Sequence, residues 1–171
     1  DDFGARAHGI DLTRDLDDTV VATIRDAMDR YSVLVFPEQA MSDPVQLAWT
    51  RKLGEPEPNH VTLGATGVVE YFGTIGNVID AENHRGNDDP HTRYQRANNL
   101  WHSDSSFRLV PTKFSINHAY EVPGDGGETE FASQRVAYAR LPDARQAELD
   151  PLRVLHDYVF SRSQVAPVDP N

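Results

Sequence analysis

A regular alternation of side chains over residues 112–122, TKFSINHAYEV, places the strongest constraint on the fold of this chain. Because successive side chains of a strand point to opposite faces, two sets form. One face would carry Phe114, Ile116, His118 and Tyr120, and the other Ser115, Asn117 and Ala119. The segment PGDGG, residues 123–127, is rich in residues that adopt turns, and ETEFAS, residues 128–133, reads as another strand. The alternation therefore predicts a strand, a turn and a second strand.

The amino-terminal part predicts helices and one buried strand. Apolar residues recur at helical spacing before the short apolar run SVLVF, residues 32–36, at Val20, Val21, Ile24, Ala27, Met28 and Tyr31. Acidic residues that suit a helix start precede them, at Asp15, Asp17 and Asp18. A second helix is expected from Ser42-Asp43-Pro44 to Gly54, with a buried stripe of Leu47, Ala48, Trp49 and Leu53.

The remaining segments favour further strands around a long polar loop. Residues 68–80 read as one or two strands, and residues 81–99 are polar and lack periodicity. Residues 141–152 predict a short surface helix, and residues 153–163, RVLHDYVFSRS, a further strand. The order of elements predicts an α+β or mainly β fold, a sandwich or barrel with helices outside, built as a single domain over residues 1–171.

Composition and charge restrict the partners. Sixteen Lys and Arg against 27 Asp and Glu give a net charge of −11, which opposes binding to nucleic acid or to an anionic membrane. The chain has no Cys, so any metal must be held by His and carboxylate ligands. Since no apolar run approaches about 20 residues, we expect no membrane span. We further expect a cytoplasmic protein and a homo-oligomer.

The stretch NLWHSDSSF, residues 99–107, places His102 and Asp104 two positions apart. In an extended segment these side chains point to the same side and can reach one metal ion. Imidazole and carboxylate together suit divalent metals such as Fe(II), Mn(II) or Zn(II). Two ligands are too few for a tight site, however, and a His beside an Asp is often only a hydrogen-bonded surface pair. The spacing by itself leaves both interpretations open.

Longer motifs resemble the taurine dioxygenase/TfdA family of Fe(II)- and 2-oxoglutarate-dependent dioxygenases. NLWHSDSSFRLVPTKFSI is similar to the family's Trp-His-x-Asp-x-(Ser/Thr)-(Phe/Tyr) signature, and VPGDGGETEFAS to its Pro-x-x-Gly-Gly-x-Thr turn. HGIDLTRDLDD and RYSVLVFPEQAMSDPVQLAWTRKLGE resemble its amino-terminal region. The resemblance implies a double-stranded β-helix, or jelly roll, with flanking helices, incomplete in this chain. It also implies hydroxylation of a small-molecule anionic substrate, with release of succinate and CO2.

The resemblance assigns roles to five residues of this sequence. His102 and Asp104 fall on two of three iron ligands, and Thr129 on a Thr that binds the cosubstrate 2-oxoglutarate. Asn98 lies where taurine-oxidising relatives place a residue that contacts substrate, and His60 is a further candidate for the substrate pocket, although a plain loop histidine is the simpler interpretation. WHSDSSFR is closer to the branch that oxidises aryloxyalkanoates than to taurine oxidisers.

Two family features do not appear in this sequence, a second His ligand in a His-x-Arg-like motif and a later Arg that holds the distal 2-oxoglutarate carboxylate. His156 resembles a different family segment, so we do not assign it as a ligand. We therefore expect the chain to be the amino-terminal portion of the domain and inactive by itself. The alternatives are a sulfonate dioxygenase, a non-catalytic jelly-roll binding module and a Zn(II) hydrolase using His and Asp ligands.

Overall fold

A computed structural model of the protein describes residues 3–58, 71–79 and 83–164. These residues fall into two compact units. The first draws on Asp1–Tyr71 and Ile116–Leu152, and the second on Phe72–Ser115 and Arg153–Asn171.

The first unit begins with a parallel pair of strands joined by a helix. Strand β1, Ala5–Arg6, pairs with strand β2, Leu34–Val35, in the register Ala5 to Leu34 and Arg6 to Val35. Helix α1, Asp18–Tyr31, connects them. It begins where the Asp17 side chain accepts a hydrogen bond from the backbone N–H of Val20 at 2.9 Å, and it ends at Ser32, a non-glycine residue with φ of 64°. The predicted helix and the predicted strand are both confirmed.

Helix α2, Asp43–Leu53, starts at Ser42 with Pro44 in its first turn and ends at Gly54, as predicted. Trp49 faces the core, whereas Ala48 is exposed, so the predicted stripe is only partly right. The core of the unit comprises Leu12, Leu16, Val21, Ile24 and Trp49, with Ile116 among the half-buried side chains packed against it. Burial of these apolar side chains is the main force that holds α1 against α2.

The second part of the first unit is helical. Helix α4, Gln134–Ala139, begins where the Ser133 hydroxyl accepts from the backbone N–H of Val136 at 3.1 Å. Helix α5, Asp143–Leu149, is the predicted surface helix. The Arg135 guanidinium donates to the Asp29 carbonyl at 2.8 Å and to the Ser32 hydroxyl at 2.7 Å. Arg135 therefore caps the carboxyl-terminal end of α1, where unpaired carbonyls favour a cation.

The second unit carries short helices. Helix α3, Pro90–Gln95, leads into a 3-10 helix, Arg96–Asn99, and helix α6 spans Tyr158–Ser163. Two backbone hydrogen bonds flank an isolated antiparallel bridge between Val78 and His84. Over the described residues, the one or two strands predicted for residues 68–80 are reduced to this bridge, so that prediction is wrong. The polar loop predicted for residues 81–99 contains α3 and the 3-10 helix.

Three further predicted strands are absent from the described residues. Residues 112–118 keep the predicted alternation between half-buried and exposed side chains, but they belong to neither of the strands found in the described part of the chain. Residues 128–133 are exposed apart from Ser133 and are likewise outside those two strands. Residues 153–163 end in α6 instead, because the Asp157 carboxylate accepts from the backbone N–H of Phe160 at 2.9 Å and so caps a helix. A strand needs a hydrogen-bonded neighbour as well as an alternating pattern.

Apolar side chains are unusually exposed in both units. In the second unit Leu109, Val110, Val154, Leu155, Val159 and Phe160 are mostly accessible, and in the first Tyr120, Val122, Phe131 and Leu152 are too. Soluble proteins rarely leave large contiguous apolar patches uncovered without a functional reason. Among the described residues, none of the helices combines the length and the apolar character needed to cross a bilayer.

Candidate metal centre

The site is built on the turn that follows Trp101. The backbone N–H of Arg108 donates to the Ser105 carbonyl at 3.0 Å, and Ser105 adopts a left-handed φ of 49°. Asp104 stands at the start of this turn. His102 Nε2 lies 3.2 Å from Asp104 Oδ1, so the two side chains project together.

A backbone carbonyl fixes the proton on the His102 ring. His102 Nδ1 lies 2.6 Å from the Leu100 carbonyl oxygen. Because a carbonyl oxygen can only accept, Nδ1 must be the protonated nitrogen. In the neutral ring Nε2 therefore carries a lone pair, and it faces Asp104 Oδ1, which also only accepts when ionised. Two acceptors at this distance repel each other unless a proton or a metal cation lies between them.

The Asp104 carboxylate is held from its other side. The Ser115 hydroxyl donates to Asp104 Oδ2 at 2.7 Å, which leaves Oδ1 directed at the His102 ring. The side chains of His102 and Asp104 are 42% and 55% exposed, so both ligand atoms are open to a ligand from solvent. Nowhere in the described residues do three or more His, Asp or Glu side chains come together in a group able to hold a metal ion.

His156 anchors the far end of the same turn. Its Nδ1 lies 2.9 Å from the Ser106 hydroxyl, and the rings of Phe107 and Tyr158 lie 4.8 Å apart between centroids. Fifty residues separate His156 from Ser106, and no pattern in the sequence indicates this contact. Ser115 was also missed as a site residue, although the alternation of residues 112–122 did place it on the face opposite Phe114.

Asn98 is half-buried in the 3-10 helix and is held by its neighbours. Its amide donates to Gln95 Oε1 at 2.8 Å, and Gln95 Nε2 donates to the Thr74 carbonyl at 2.9 Å. This network fixes the orientation of the Asn98 side chain within the second unit.

Asp89 starts the helix that leads to Asn98. Burial opposes ionisation of Asp89, but the backbone N–H groups of Thr92 and His91 and the Arg85 guanidinium outweigh it and hold the pKa of that carboxyl below its ordinary value. The pair Asp89-Pro90 was the signal for a helix within the polar segment, since a capping residue followed by Pro is typical of a helix start.

Thr129 belongs to the first unit, whereas His102 and Asp104 belong to the second. It is exposed and lies two residues after the predicted turn, in which Gly126 and Gly127 have φ of 74° and 78°. A Cβ at Gly127 would also approach the Pro123 side chain to 3.1 Å, so the turn favours glycine there twice over. His60 lies outside the described residues.

His118 joins the extended segment to a loop of the first unit. Its Nε2 lies 3.1 Å from the Gln39 carbonyl oxygen, and its ring packs against Tyr120 with centroids 4.6 Å apart. The side chain is half-buried in the first unit. It therefore helps to hold the extended segment to the loop that precedes α2.

Comparisons with known proteins bear on the whole chain. Residues 1–170 match the family model "Taurine catabolism dioxygenase TauD, TfdA family". An alpha-ketoglutarate-dependent 2,4-dichlorophenoxyacetate dioxygenase of Cupriavidus pinatubonensis is 36% identical, over 98% of this chain and 59% of that protein. An alpha-ketoglutarate-dependent sulfate ester dioxygenase of Pseudomonas putida is 30% identical, over 98% of this chain and 51% of that protein.

A solved structure shows the same fold over the full chain. The crystal structure of AAD-2 in complex with Mn(II) and N-oxalylglycine superposes with a TM-score of 0.85 and 32% identity, over 100% of this chain and 59% of that one. The chain thus spans about half the length of the curated relatives it matches.

Proposed function

Because this chain belongs to the taurine catabolism dioxygenase TauD, TfdA family, we propose that it supplies two iron ligands of a dioxygenase that depends on Fe(II), 2-oxoglutarate and O2. The proposed reaction hydroxylates a small organic acid and releases succinate and CO2. One observation carries the proposal above the others, namely that His102 Nε2 and Asp104 Oδ1 face each other at 3.2 Å while His102 Nδ1 is held by the Leu100 carbonyl.

The geometry of this pair fits a divalent metal. With metal–ligand distances of about 2.1 Å, two adjacent ligand atoms lie roughly 3.0 Å apart in an octahedral site and roughly 3.4 Å apart in a tetrahedral one. The observed 3.2 Å falls between these values. A cation would replace the repulsion between two acceptors with two coordinate bonds, so the residues present suit the group that the family uses.

When bound, the metal would activate O2, which is the oxidant, and 2-oxoglutarate would supply two electrons as it is converted to succinate and CO2; the protein's task is to hold and orient. His102 would offer Nε2 while its Nδ1–H stays on the Leu100 carbonyl, so the ring cannot tilt away freely. Asp104 would offer Oδ1. Thr129 is proposed to donate a hydrogen bond to a 2-oxoglutarate carboxylate, and its exposed side chain is available for that role.

Asn98 is proposed to contact the substrate, supported by its fixed orientation four residues before His102. Its amide nitrogen donates to Gln95, so the group that we propose to contact the substrate is the side-chain oxygen, a hydrogen-bond acceptor. His60 stays a prediction for the substrate pocket, as does a homo-oligomeric state.

We propose an aryloxyalkanoate as substrate, because the relative from Cupriavidus pinatubonensis carries that activity in its name and shares more identity with this chain than the sulfate ester dioxygenase does. The sulfate ester enzyme makes an organic sulfate or sulfonate the second candidate. Both substrates are small anions, so both would need local positive charge in a chain of net charge −11.

We also propose that residues 1–171 contribute to a single jelly-roll dioxygenase domain. The single family model over residues 1–170 supports one domain. The alternating burial of residues 112–118 and exposed apolar side chains such as Leu155 and Val122 are consistent with strand faces that a jelly roll would cover. The jelly roll closes its edges by pairing and covers such faces with a second sheet.

Quenching of tryptophan fluorescence by Mn(II) tests the metal site. Trp101 precedes His102 and is 69% exposed, whereas Trp49 is 6% exposed in the core of the first unit. We expect saturable quenching by Mn(II) in the wild type, its loss in His102→Ala and Asp104→Ala, and its loss in Trp101→Phe, which keeps only Trp49. Equal quenching in the wild type and Asp104→Ala would refute the site.

The substrate is tested in a chimaera in which this chain replaces the matching segment of the Cupriavidus pinatubonensis dioxygenase. We expect release of succinate that depends on 2-oxoglutarate and is stimulated by 2,4-dichlorophenoxyacetate. Stimulation only by an alkyl sulfate would favour the second candidate, and an unstimulated but metal-binding chimaera would contradict both.

A further inference from the structure

We propose that Ser115 is a positioning residue that fixes the rotation of the Asp104 carboxylate so that one of its oxygens faces the metal, an inference that rests on the proposed function. Its hydroxyl donates to Asp104 Oδ2 at 2.7 Å, while Asp104 Oδ1 faces His102 Nε2 at 3.2 Å. The two carboxylate oxygens are thus assigned different partners.

The contact matters because an Asp carboxylate is loosely set by its own torsion. Rotation about the bond to the carboxylate is broad and roughly two-fold, so both oxygens are otherwise interchangeable. The Asp104 side chain is 55% exposed, and packing alone therefore does not fix it. A charge-assisted hydrogen bond to Oδ2 is about twice as strong as a neutral one, which is enough to favour a single rotation.

Ser115 can apply this constraint because the residue that follows it in the chain is anchored by packing. It lies 11 residues from Asp104, next to Ile116, which packs against the core of the first unit. A serine has one hydroxyl proton, and here that proton is used on Oδ2. The site therefore presents Oδ1 as a single-oxygen ligand, which leaves more coordination positions for 2-oxoglutarate than a carboxylate bound through both oxygens would.

Removal of this hydroxyl should weaken metal binding without unfolding the protein. Mutation of a residue that orients a metal ligand typically lowers metal affinity by about 10- to 100-fold. Since Ser115 and Asp104 are both exposed, we expect the lower end, about 10-fold, for Ser115→Ala. Ser115→Thr keeps the hydroxyl, and its β-branched side chain suits an extended segment, so affinity should return to within about threefold of the wild type.

The experiment measures free Mn(II) by electron paramagnetic resonance as the metal alone is titrated into the full chain. The variants are Ser115→Ala, Ser115→Thr, Asp104→Ala and the matched control Ser103→Ala, a serine-to-alanine change between the two ligands. Circular dichroism and the urea midpoint establish that each variant is folded. Rescue by Thr is the readout that a merely structural role for the side chain would not predict.

The outcomes separate the two proposals. Weakened binding in Ser115→Ala, with wild-type binding in Ser115→Thr and Ser103→Ala, supports the inference. Wild-type binding in Ser115→Ala, while Asp104→Ala loses it, overturns the inference and leaves the metal site standing. Equal binding, or equal lack of binding, in the wild type and Asp104→Ala overturns the proposed function itself and the inference with it. Weakening in Ser115→Thr as large as in Ser115→Ala also overturns the inference.

Discussion

Gln39 joins two backbone segments of the first unit, residues 10–12 and Pro37, through one side chain, and Gln39→Ala should destabilise the protein strongly. The backbone N–H of Leu12 donates to Gln39 Oε1 at 2.7 Å. Gln39 Nε2 donates to the carbonyls of Ile10 at 3.2 Å and Pro37 at 2.9 Å. This arrangement also fixes the amide orientation, because a flipped side chain would set its NH2 group against the Leu12 N–H.

The cost of the change can be estimated from these bonds. Each hydrogen bond contributes a net ~0.5–1.5 kcal/mol, and a buried donor left unpaired costs ~1–3 kcal/mol. Leu12 is 2% exposed, so its N–H is poorly placed to find water after truncation, whereas the two carbonyls are better able to do so. We expect a loss of about 2–4 kcal/mol, a large fraction of the roughly 5–15 kcal/mol typical of a folded domain.

Urea denaturation followed by circular dichroism measures this loss. With a slope of roughly 2 kcal/mol per molar urea, the midpoint should fall by about 1–2 M. Gln164→Ala is a matched control, because Gln164 is exposed and its bonds are long, at 3.5 Å; its midpoint should not move. A Gln39→Ala midpoint within experimental error of the wild type would refute the reasoning that this side chain holds the amino-terminal segment in place.

Three further predictions concern the stability of α3 in acid, the titration of Tyr138 in base, and the release of succinate. The hydrogen bonds that Asp89 accepts as a helix cap lower its pKa. The stability that Asp89 adds to α3 is therefore present above pH ~4 and is lost as the pH falls through the lowered value. Amide exchange at His91 should become faster in acid in the wild type but not in Asp89→Asn, which keeps a cap without the charge. A hydrogen bond to Asp150, burial and the charge of Asp150 raise the pKa of Tyr138, so the stability that it adds is present below pH ~10 and is lost as the pH rises through the raised value. The pKa of Tyr120 is raised in the same way by Asp43, so ultraviolet titration should show a late-titrating component that shrinks by one tyrosine in Tyr138→Phe. Finally, this chain with Fe(II), ascorbate and 2-oxoglutarate should release no succinate, and measured release would contradict the need for a further ligand.

Local signals in the sequence were enough for some elements and misleading for others. Helices α1 and α2 were predictable because their caps and apolar spacing lie within the elements themselves, as at Asp17 and Pro44. Helix α3 was missed because its segment lacks an apolar stripe, and only the Asp89 cap marks it. The predicted alternation appears as an alternation of burial over residues 112–118, but pairing depends on a neighbour that the pattern cannot specify.

The candidate site likewise has a part that the local sequence predicts and a part that it does not. His102 and Asp104 are two residues apart, so local geometry alone brings them to 3.2 Å. The side chains that hold this turn come from farther along the chain. Ser115 lies 11 residues from its partner Asp104, and His156 lies 50 residues from its partner Ser106. No spacing rule connects such residues, since their contact depends on how the second unit folds.

This dependence predicts that metal binding and folding of the second unit are coupled. A metal that binds only the folded pair stabilises the protein by RT ln(1 + [metal]/Kd), about 1.4 kcal/mol at ten times the dissociation constant. Mn(II) at that concentration should therefore slow amide exchange in the turn at Arg108, whose N–H is bonded to Ser105. Asp104→Ala should abolish the effect, because it removes a ligand while leaving that backbone bond intact. Slowing of the same size in Asp104→Ala would mean that Mn(II) acts elsewhere on an acidic chain and that the His102–Asp104 pair does not hold the ion.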